Sequence, residues 1–243
     1  SEVGGEGEKR VGDDVSNNPV RVDGQGVPLL TVNAIDQALQ VGAIDEATLD
    51  LAEGVERAGL VILATPIRAL SKLAPIVARA MLEGAVLTEV SSTKQQVIGT
   101  ICSALNNRDE ITFVPTHPMA GSEQRGPLHA TEDLFKGSVC IFTPLPNTPP
   151  KDLQDLKKVW RTLGADIHQM APAEHDRIVA SVSHLPHLAA AAVARTVSER
   201  EGLFAGGGFI DTTRIASGNP GLWRDICESN AREVSRALDE LIG

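Results

Sequence analysis

The sequence predicts an α/β domain built on a mostly parallel sheet, followed by an all-helical domain. Three observations carry this. Short apolar runs alternate with amphipathic stretches of about ten residues or more as far as residue 171. Several of those runs are apolar throughout instead of alternating, as in strands covered on both faces. Beyond Pro172 the strand-like runs stop and only helical periodicities remain. Residues 33–171 and 172–243 are therefore read as two domains, preceded by an atypical segment, 1–32.

Residues 1–28 contain six glycines and six acidic residues, and their only aliphatics are scattered valines. Neither the helical nor the strand period is sustained, so the segment is expected to be disordered or irregular surface. From Asn33 an amphipathic helix runs to Gly42, a usual C-cap residue. A short helix follows near Leu49–Val55, then the apolar run Gly59–Ala64, which ends in Thr65-Pro66. A helix is predicted over Ile67–Ala80, a strand over Ala85–Val90 and a helix over Gln95–Leu105. Strands at Ile111–Pro115 and Ser138–Thr143, a helix at Leu153–Leu163 and a strand at Asp166–Met170 complete the α/β part. Helices are expected at His175–Ser183, His187–Glu199, Trp223–Asn230 and Glu233–Leu241, with Gly206-Gly207-Gly208 as a break between them.

Composition narrows the function. The chain has 243 residues, is 42% hydrophobic and carries a net charge of −10. An acidic chain without clustered Lys and Arg is a poor partner for nucleic acid, and with two Trp, five Phe and no Tyr it offers few stacking platforms. No apolar run approaches the roughly 18 residues of a membrane span, and no signal-peptide pattern is present. Cys102, Cys140 and Cys227 are odd in number and widely spaced, which points to reduced thiols and a cytoplasmic protein. Without Tyr, a general acid or base must be His, Asp, Glu, Lys or Cys.

In open parallel sheets, ligands bind beyond the carboxyl ends of the strands. Thr65-Pro66, Ser91-Ser92-Thr93-Lys94 and His117-Pro118 all fall at such ends. His117, held between prolines in a loop after a strand, is a candidate catalytic base or a hydrogen-bonded structural residue. His184 and His187 stand three apart within Ser183-His184-Leu185-Pro186-His187. Zinc binding there lacks a third ligand; helix capping by Ser183 and an anion site at a helix N-terminus remain open. Gly206-Gly207-Gly208 permits close backbone approach, and Arg214 can pair bidentately with a carboxylate or sit free on the surface. Trp223 is read as core or interface.

At His117-Pro118-Met119-Ala120-Gly121-Ser122-Glu123 the sequence resembles the prephenate/arogenate dehydrogenase family of tyrosine biosynthesis. Further matching segments occur in the family's order: Leu63-Ala64-Thr65-Pro66, Val90-Ser91-Ser92-Thr93-Lys94, His175-Asp176-Arg177, Ser183-His184-Leu185-Pro186-His187, the run from Gly207 to Ala216, and Asn219-Pro220 with Trp223. The resemblance implies a Rossmann-like nucleotide domain and a helical domain that forms a homodimer. It implies oxidative decarboxylation of prephenate or arogenate, with hydride transfer to NAD or NADP. By the same resemblance His117 would take the proton of the ring hydroxyl, which Ser92 would hydrogen-bond along with the histidine. Arg214 would hold the side-chain carboxylate. His187, Ser183 and Gly207 would line the substrate pocket, with Glu123 at its mouth. Trp223 would reach toward the partner subunit's site, and Thr65 and Pro66 would border the nicotinamide.

The family begins with a strand, a Gly-x-Gly-x-x-Gly loop and a helix, and this first βαβ unit is degenerate or missing in residues 1–32. Gly5-Glu6-Gly7 is followed by Arg10 at the third glycine's place, and no apolar strand precedes it. Glu89 stands where the family usually has Asp, and Ile210 where a basic residue is common. Two other readings follow. One is a catalytically impaired member that binds ligand or only dimerises; the other is a dehydrogenase of the same architecture acting on a small hydroxy acid.

Overall fold

A computed structural model describes residues 32–121 and 126–243. The predicted irregular segment and the apparent loss of the glycine loop thus concern residues that lie almost wholly outside the described ones, as does Glu123.

The α/β part opens with α1 (Val32–Gln40), which ends before Gly42 at φ 67°, a left-handed position that glycine adopts without strain. Helix α2 (Leu51–Val55) is capped by the Asp50 carboxylate, which accepts from the Ala52 and Glu53 N–H groups. Strands β1 (Leu60–Leu63), β2 (Val86–Glu89) and β3 (Thr112–Phe113) form a parallel sheet in that order, pairing Leu60 with Val86 and Val86 with Thr112. The connections are α3 (Ile67–Ala80) and α4 (Gln95–Ala104). Helix α3 buries Leu70, Leu73, Ala74, Val77 and Ala78, the spacing of one helical face, against Leu63, Leu87 and Phe113 of the sheet.

A second sheet continues from the first. Strand β4 (Thr116–Pro118) runs antiparallel to β5 (Val139–Phe142), and β6 (Asp166–Gln169) lies parallel to β5. The sheets join where the Thr116 hydroxyl donates to the Glu89 carbonyl (2.9 Å) and meets the Thr88 hydroxyl (3.1 Å). His117 therefore sits in a short strand, not in the loop expected from its prolines. Pro115 and Pro118 are compatible with that strand because it is short and pairs on one side only with β5. Helix α5 (Pro150–Thr162) starts on a proline and packs Leu156 and Trp160 onto β5, with Trp160 edge-on to Phe135 at 5.1 Å.

The remainder is helical: α6 (Pro172–Val179), a π turn (Ala180–His184), α7 (Leu185–Arg195), α8 (Glu199–Gly202), α9 (Gly207–Thr213), a 3-10 turn (Arg214–Ser217), α10 (Pro220–Ser229) and α11 (Ala231–Ile242). Proline occupies the first turn of α6 and α10, where its missing N–H costs nothing, and Pro186 follows the π turn directly at the start of α7. The expected glycine break is in part a helix: Gly206 flanks α9, while Gly207 and Gly208 begin it. Ser183 does not cap α7. It lies inside the π turn, and His184 occupies the N-cap position without a side-chain cap bond. Among the described residues no helix is long and apolar enough to cross a membrane.

Candidate active site

The chemistry-bearing side chains gather where β2, β4 and the first helix of the second domain meet. Lys94, at the entrance to α4, is completely buried. Its ammonium pairs with Glu89 at the end of β2 and donates to the Thr116 carbonyl at 2.6 Å. Burial lowers the Lys94 pKa, and the Glu89 carboxylate opposes that. A fully buried charge is tolerated only with such partners. Next to Thr116, His117 is 8% exposed. Its Nδ1 lies 2.8 Å from His175 Nε2, and His175 Nδ1 lies 2.8 Å from Asp176 Oδ1. The Asp176 carboxylate also accepts from the Lys94 N–H (2.8 Å) and the Gln95 N–H (2.9 Å), the orphan donors at the start of α4.

This environment sets the protonation states. His117 is held well below its ordinary pKa, first by burial and then because a proton on its ring would be repelled by the Lys94 ammonium and by any proton shared with the neighbouring His175 and His184 rings. It is therefore unprotonated at neutral pH, the form a general base requires. Burial pushes the Asp176 carboxyl up, but the His175 ring and the Gln95 and Lys94 N–H groups outweigh it, and the net position is below the usual carboxylate range. The Cys140 thiol, on β5 opposite Pro118, is pushed up to about 12 by burial, which leaves it without thiolate character near neutral pH.

The helices carry a second group. An α-helix turns about 100° per residue, so the one extra residue of the π turn rotates the chain beyond it back by that amount. His184 and His187, on either side of the end of the π turn, are buried, as are His175 and Ala180. His184 is 1% exposed, is pushed down to about 4 by burial, and accepts from the Asn230 amide at 3.3 Å. The His187 ring stacks on Trp223 with centroids 3.5 Å apart and 8° between planes. Trp223, expected to reach toward a partner subunit, is thus engaged by its own chain. Gly218 lies against the stack: a Cβ there would overlap Trp223 Nε1 and come within 3.2 Å of His187 Cε1.

The remaining candidates lie around these two groups. Ser92 is half-buried in the loop between β2 and α4, but among the described residues the partner of the His117 ring is His175, and Ser92 bonds neither. Thr65 and Pro66 follow β1, and the Thr65 hydroxyl is buried without a partner among the described residues, as is that of Ser91 beyond β2. Arg214 begins the 3-10 turn, which packs with α9 on the His187-bearing helix α7. Arg214 and Gly207 are both exposed, and Arg214 has no acidic partner among the described residues. Ser183 is half-buried in the π turn. Residues that the sequence reading passed over are His175 and Asp176, singled out there only as part of a motif, and the buried Glu89–Lys94 pair. Among the described residues, no three His, Cys, Asp or Glu side chains come together as a metal site.

The sequence profile of the prephenate dehydrogenase nucleotide-binding domain matches residues 31–169, and that of the prephenate dehydrogenase dimerization domain matches residues 171–243. The chain belongs to the prephenate dehydrogenase family. It is 37% identical over 212 residues to the prephenate dehydrogenase of Bacillus subtilis, covering 84% of this chain and 57% of that protein. It is 33% identical over 214 residues to the cyclohexadienyl dehydrogenase of Zymomonas mobilis, covering 85% of this chain and 72% of that protein. Among solved structures, the Aquifex aeolicus prephenate dehydrogenase bound to hydroxyphenyl propionate and NAD+ superposes with a TM-score of 0.78 at 32% identity, over 87% of this chain and 75% of that one. The Synechocystis arogenate dehydrogenase gives 0.73 at 28% identity, over 87% and 77%. The chain thus spans little more than half the length of the Bacillus relative.

Proposed function

We propose that this protein is an NAD- or NADP-dependent prephenate or arogenate dehydrogenase, with His117 as the base. The observation that carries the proposal is His117 itself: buried beside the strand ends, held unprotonated, and hydrogen-bonded through one ring nitrogen. Family membership and the NAD+ complex of the Aquifex relative support the substrate class and the cofactor.

His117 Nε2 takes the proton of the ring C4 hydroxyl as the C4–H bond gives up its electron pair as hydride. A bound nicotinamide supplies the hydride acceptor. The electron pair of the bond to the ring carboxylate then enters the ring, carbon dioxide leaves, and the ring becomes aromatic as its oxygen recovers the proton from His117. Aromatisation makes the overall reaction favourable, so the protein's part is to position the ring and supply the base. Ser92 hydrogen-bonds the hydroxyl. Arg214, without an acidic partner among the described residues, holds the side-chain carboxylate. His187 and Ser183 line the ring, Gly207 gives the backbone close approach, and Glu123 stands at the mouth. The unpartnered hydroxyl of Thr65 suits the nicotinamide amide, with Pro66 beside it. No Gly-x-Gly-x-x-Gly loop occurs among the described residues.

A homodimer through the second domain is supported by the description of the matching profile and by exposed Leu203, Phe204, Ile210, Ile215 and Ile242. The free cysteines Cys102, Cys140 and Cys227 support a cytoplasmic setting. Assaying prephenate and arogenate, each with NAD and with NADP, tests the proposal: turnover with at least one pair is expected. A calorimetric titration that finds no cofactor binding at millimolar concentration would instead favour a member that binds ligand or only dimerises.

A further inference from the structure

His117 has one ring nitrogen engaged and one that the proposed reaction needs bare. Which nitrogen carries the proton is not a property of His117 alone. An ionised carboxylate only accepts hydrogen bonds, so Asp176 requires the proton of His175 on Nδ1, at 2.8 Å. For two neutral rings, His175 Nε2 is then a lone pair. The bond between His175 Nε2 and His117 Nδ1, also 2.8 Å, must be donated by His117. His117 Nε2 is left without hydrogen.

We propose that His175 and Asp176 are positioning residues that fix the His117 tautomer, leaving Nε2 as the lone pair that accepts the substrate proton. This rests on His117 acting as the base. The geometry is over-determined in a way chance packing seldom is. His175 is fully buried and Asp176 is 1% exposed. Asp176 cannot swing away, because both its oxygens are taken: Oδ1 by His175 and the Lys94 N–H, Oδ2 by the Gln95 N–H. Its own carbonyl accepts from the Asn230 amide at 2.8 Å, which holds the backbone at the same point. The His117 and His175 rings meet edge-on at 63°, with centroids 5.0 Å apart, as an in-plane N–H aimed at a ring lone pair allows. As His117 becomes an imidazolium, its Nδ1–H bond to His175 strengthens, and the Asp176 carboxylate stabilises the developing charge through the intervening ring.

The test uses the whole chain. His175→Leu removes the acceptor, Asp176→Asn removes the carboxylate, and His175→Gln keeps an amide oxygen that can accept from His117 Nδ1. His175→Leu and Asp176→Asn are expected to lower kcat by about 10²–10⁴-fold with KM unchanged, the range typical of a positioned base, and His175→Gln to recover much of the loss. Where a variant does not fold, 15N NMR of the histidine-labelled parent protein decides alone: His117 is expected to carry its proton on Nδ1 with Nε2 bare. That readout needs neither substrate nor turnover, so it separates this inference from the proposed function. A proton on Nε2 in the parent protein, or full kcat in folded His175→Leu, would overturn it.

Discussion

His175, Asp176 and His184 are no more than 1% exposed, whereas Phe204, in the same domain, is 84% exposed, and Arg214 and Gly207 also lie in solvent. His175 and Asp176 are locked by hydrogen bonds to the α/β domain, and His184 is held by Asn230 within its own domain. In the second, Gly207 and Arg214 lie on α9 and the 3-10 turn, which pack on α7 and leave Ile210 and Ile215 uncovered, while Leu203 and Phe204 lie between α8 and α9. One domain thus contributes two kinds of residue to the proposed site. The proton-handling groups are preorganised within a single chain. The arm proposed to bind the carboxylate is open, as expected of a surface completed by substrate or by a second copy. Substitutions in the first group should therefore strike turnover and stability, and those in the second should strike binding alone.

The largest expected effect is on turnover. His117→Asn should lower kcat by about 10²–10⁴-fold while substrate still binds. Near-normal turnover in that variant would remove His117 from the base role and dissolve the contrast. Next comes stability. Lys94→Met leaves Glu89 as an uncompensated buried charge and should cost about 3–5 kcal/mol in urea unfolding. Replacing Glu89 and Lys94 together by apolar residues should restore much of it; a double variant as unstable as the single one would mean that the Thr116 carbonyl, not the ion pair, is the essential contact.

Acid should act on the buried group too. His184 titrates near 6.5 unfolded and at about 4 folded, so the fold favours its neutral form. That stability is present above pH 6.5 and is lost as pH falls toward 4, on the order of 3 kcal/mol. His117, depressed by burial, adds in the same direction. Urea midpoints at pH 7.5 and 4.5 should differ accordingly, and equal midpoints would show that these rings accept protons freely within the fold.

For the open arm, Arg214→Ala should raise KM roughly tenfold to a hundredfold, with the thermal midpoint unchanged, as a lost charged hydrogen bond predicts. An altered midpoint with unaltered KM would make Arg214 structural. The smallest effect belongs to Arg68, which reaches from α3 to Asp225 (Nε to Oδ1, 2.7 Å) and pairs with Glu228. Arg68 is about half exposed, and Arg68→Ala should cost about 1 kcal/mol or less.

Much of this was legible in the sequence. Helix α3 has the bounds its periodicity predicts, because its apolar residues mark one face and Thr65-Pro66 bars an earlier start. The buried strands were legible because short, wholly apolar runs suit a covered parallel sheet. His117 and Arg214 stood out through the motifs around them. The His117–His175 contact did not, because it joins residues 58 apart across two domains and only the fold brings them together. Nothing in Ala180–His184 announces a π turn, which has Ala180 and His184 both buried. The glycine run misled for a similar reason. Glycine disfavours helix intrinsically, yet α9 forms against α7, with the Thr212 and Thr213 hydroxyls donating to the Gly208 and Phe209 carbonyls.

Most helices are capped by a residue beside them in the chain. Helix α4 takes its cap from Asp176, 82 positions from Lys94 and in the other domain. Opening the second domain would therefore expose the first N–H groups of α4 to water and withdraw the anion facing its positive end. The contact between the Thr93 and Ser229 hydroxyls, 2.9 Å apart, would be lost in the same event. Opening the second domain would thus loosen both domains at once. Amide hydrogens at the start of α4 should exchange no more slowly than those of α6, because one opening releases both.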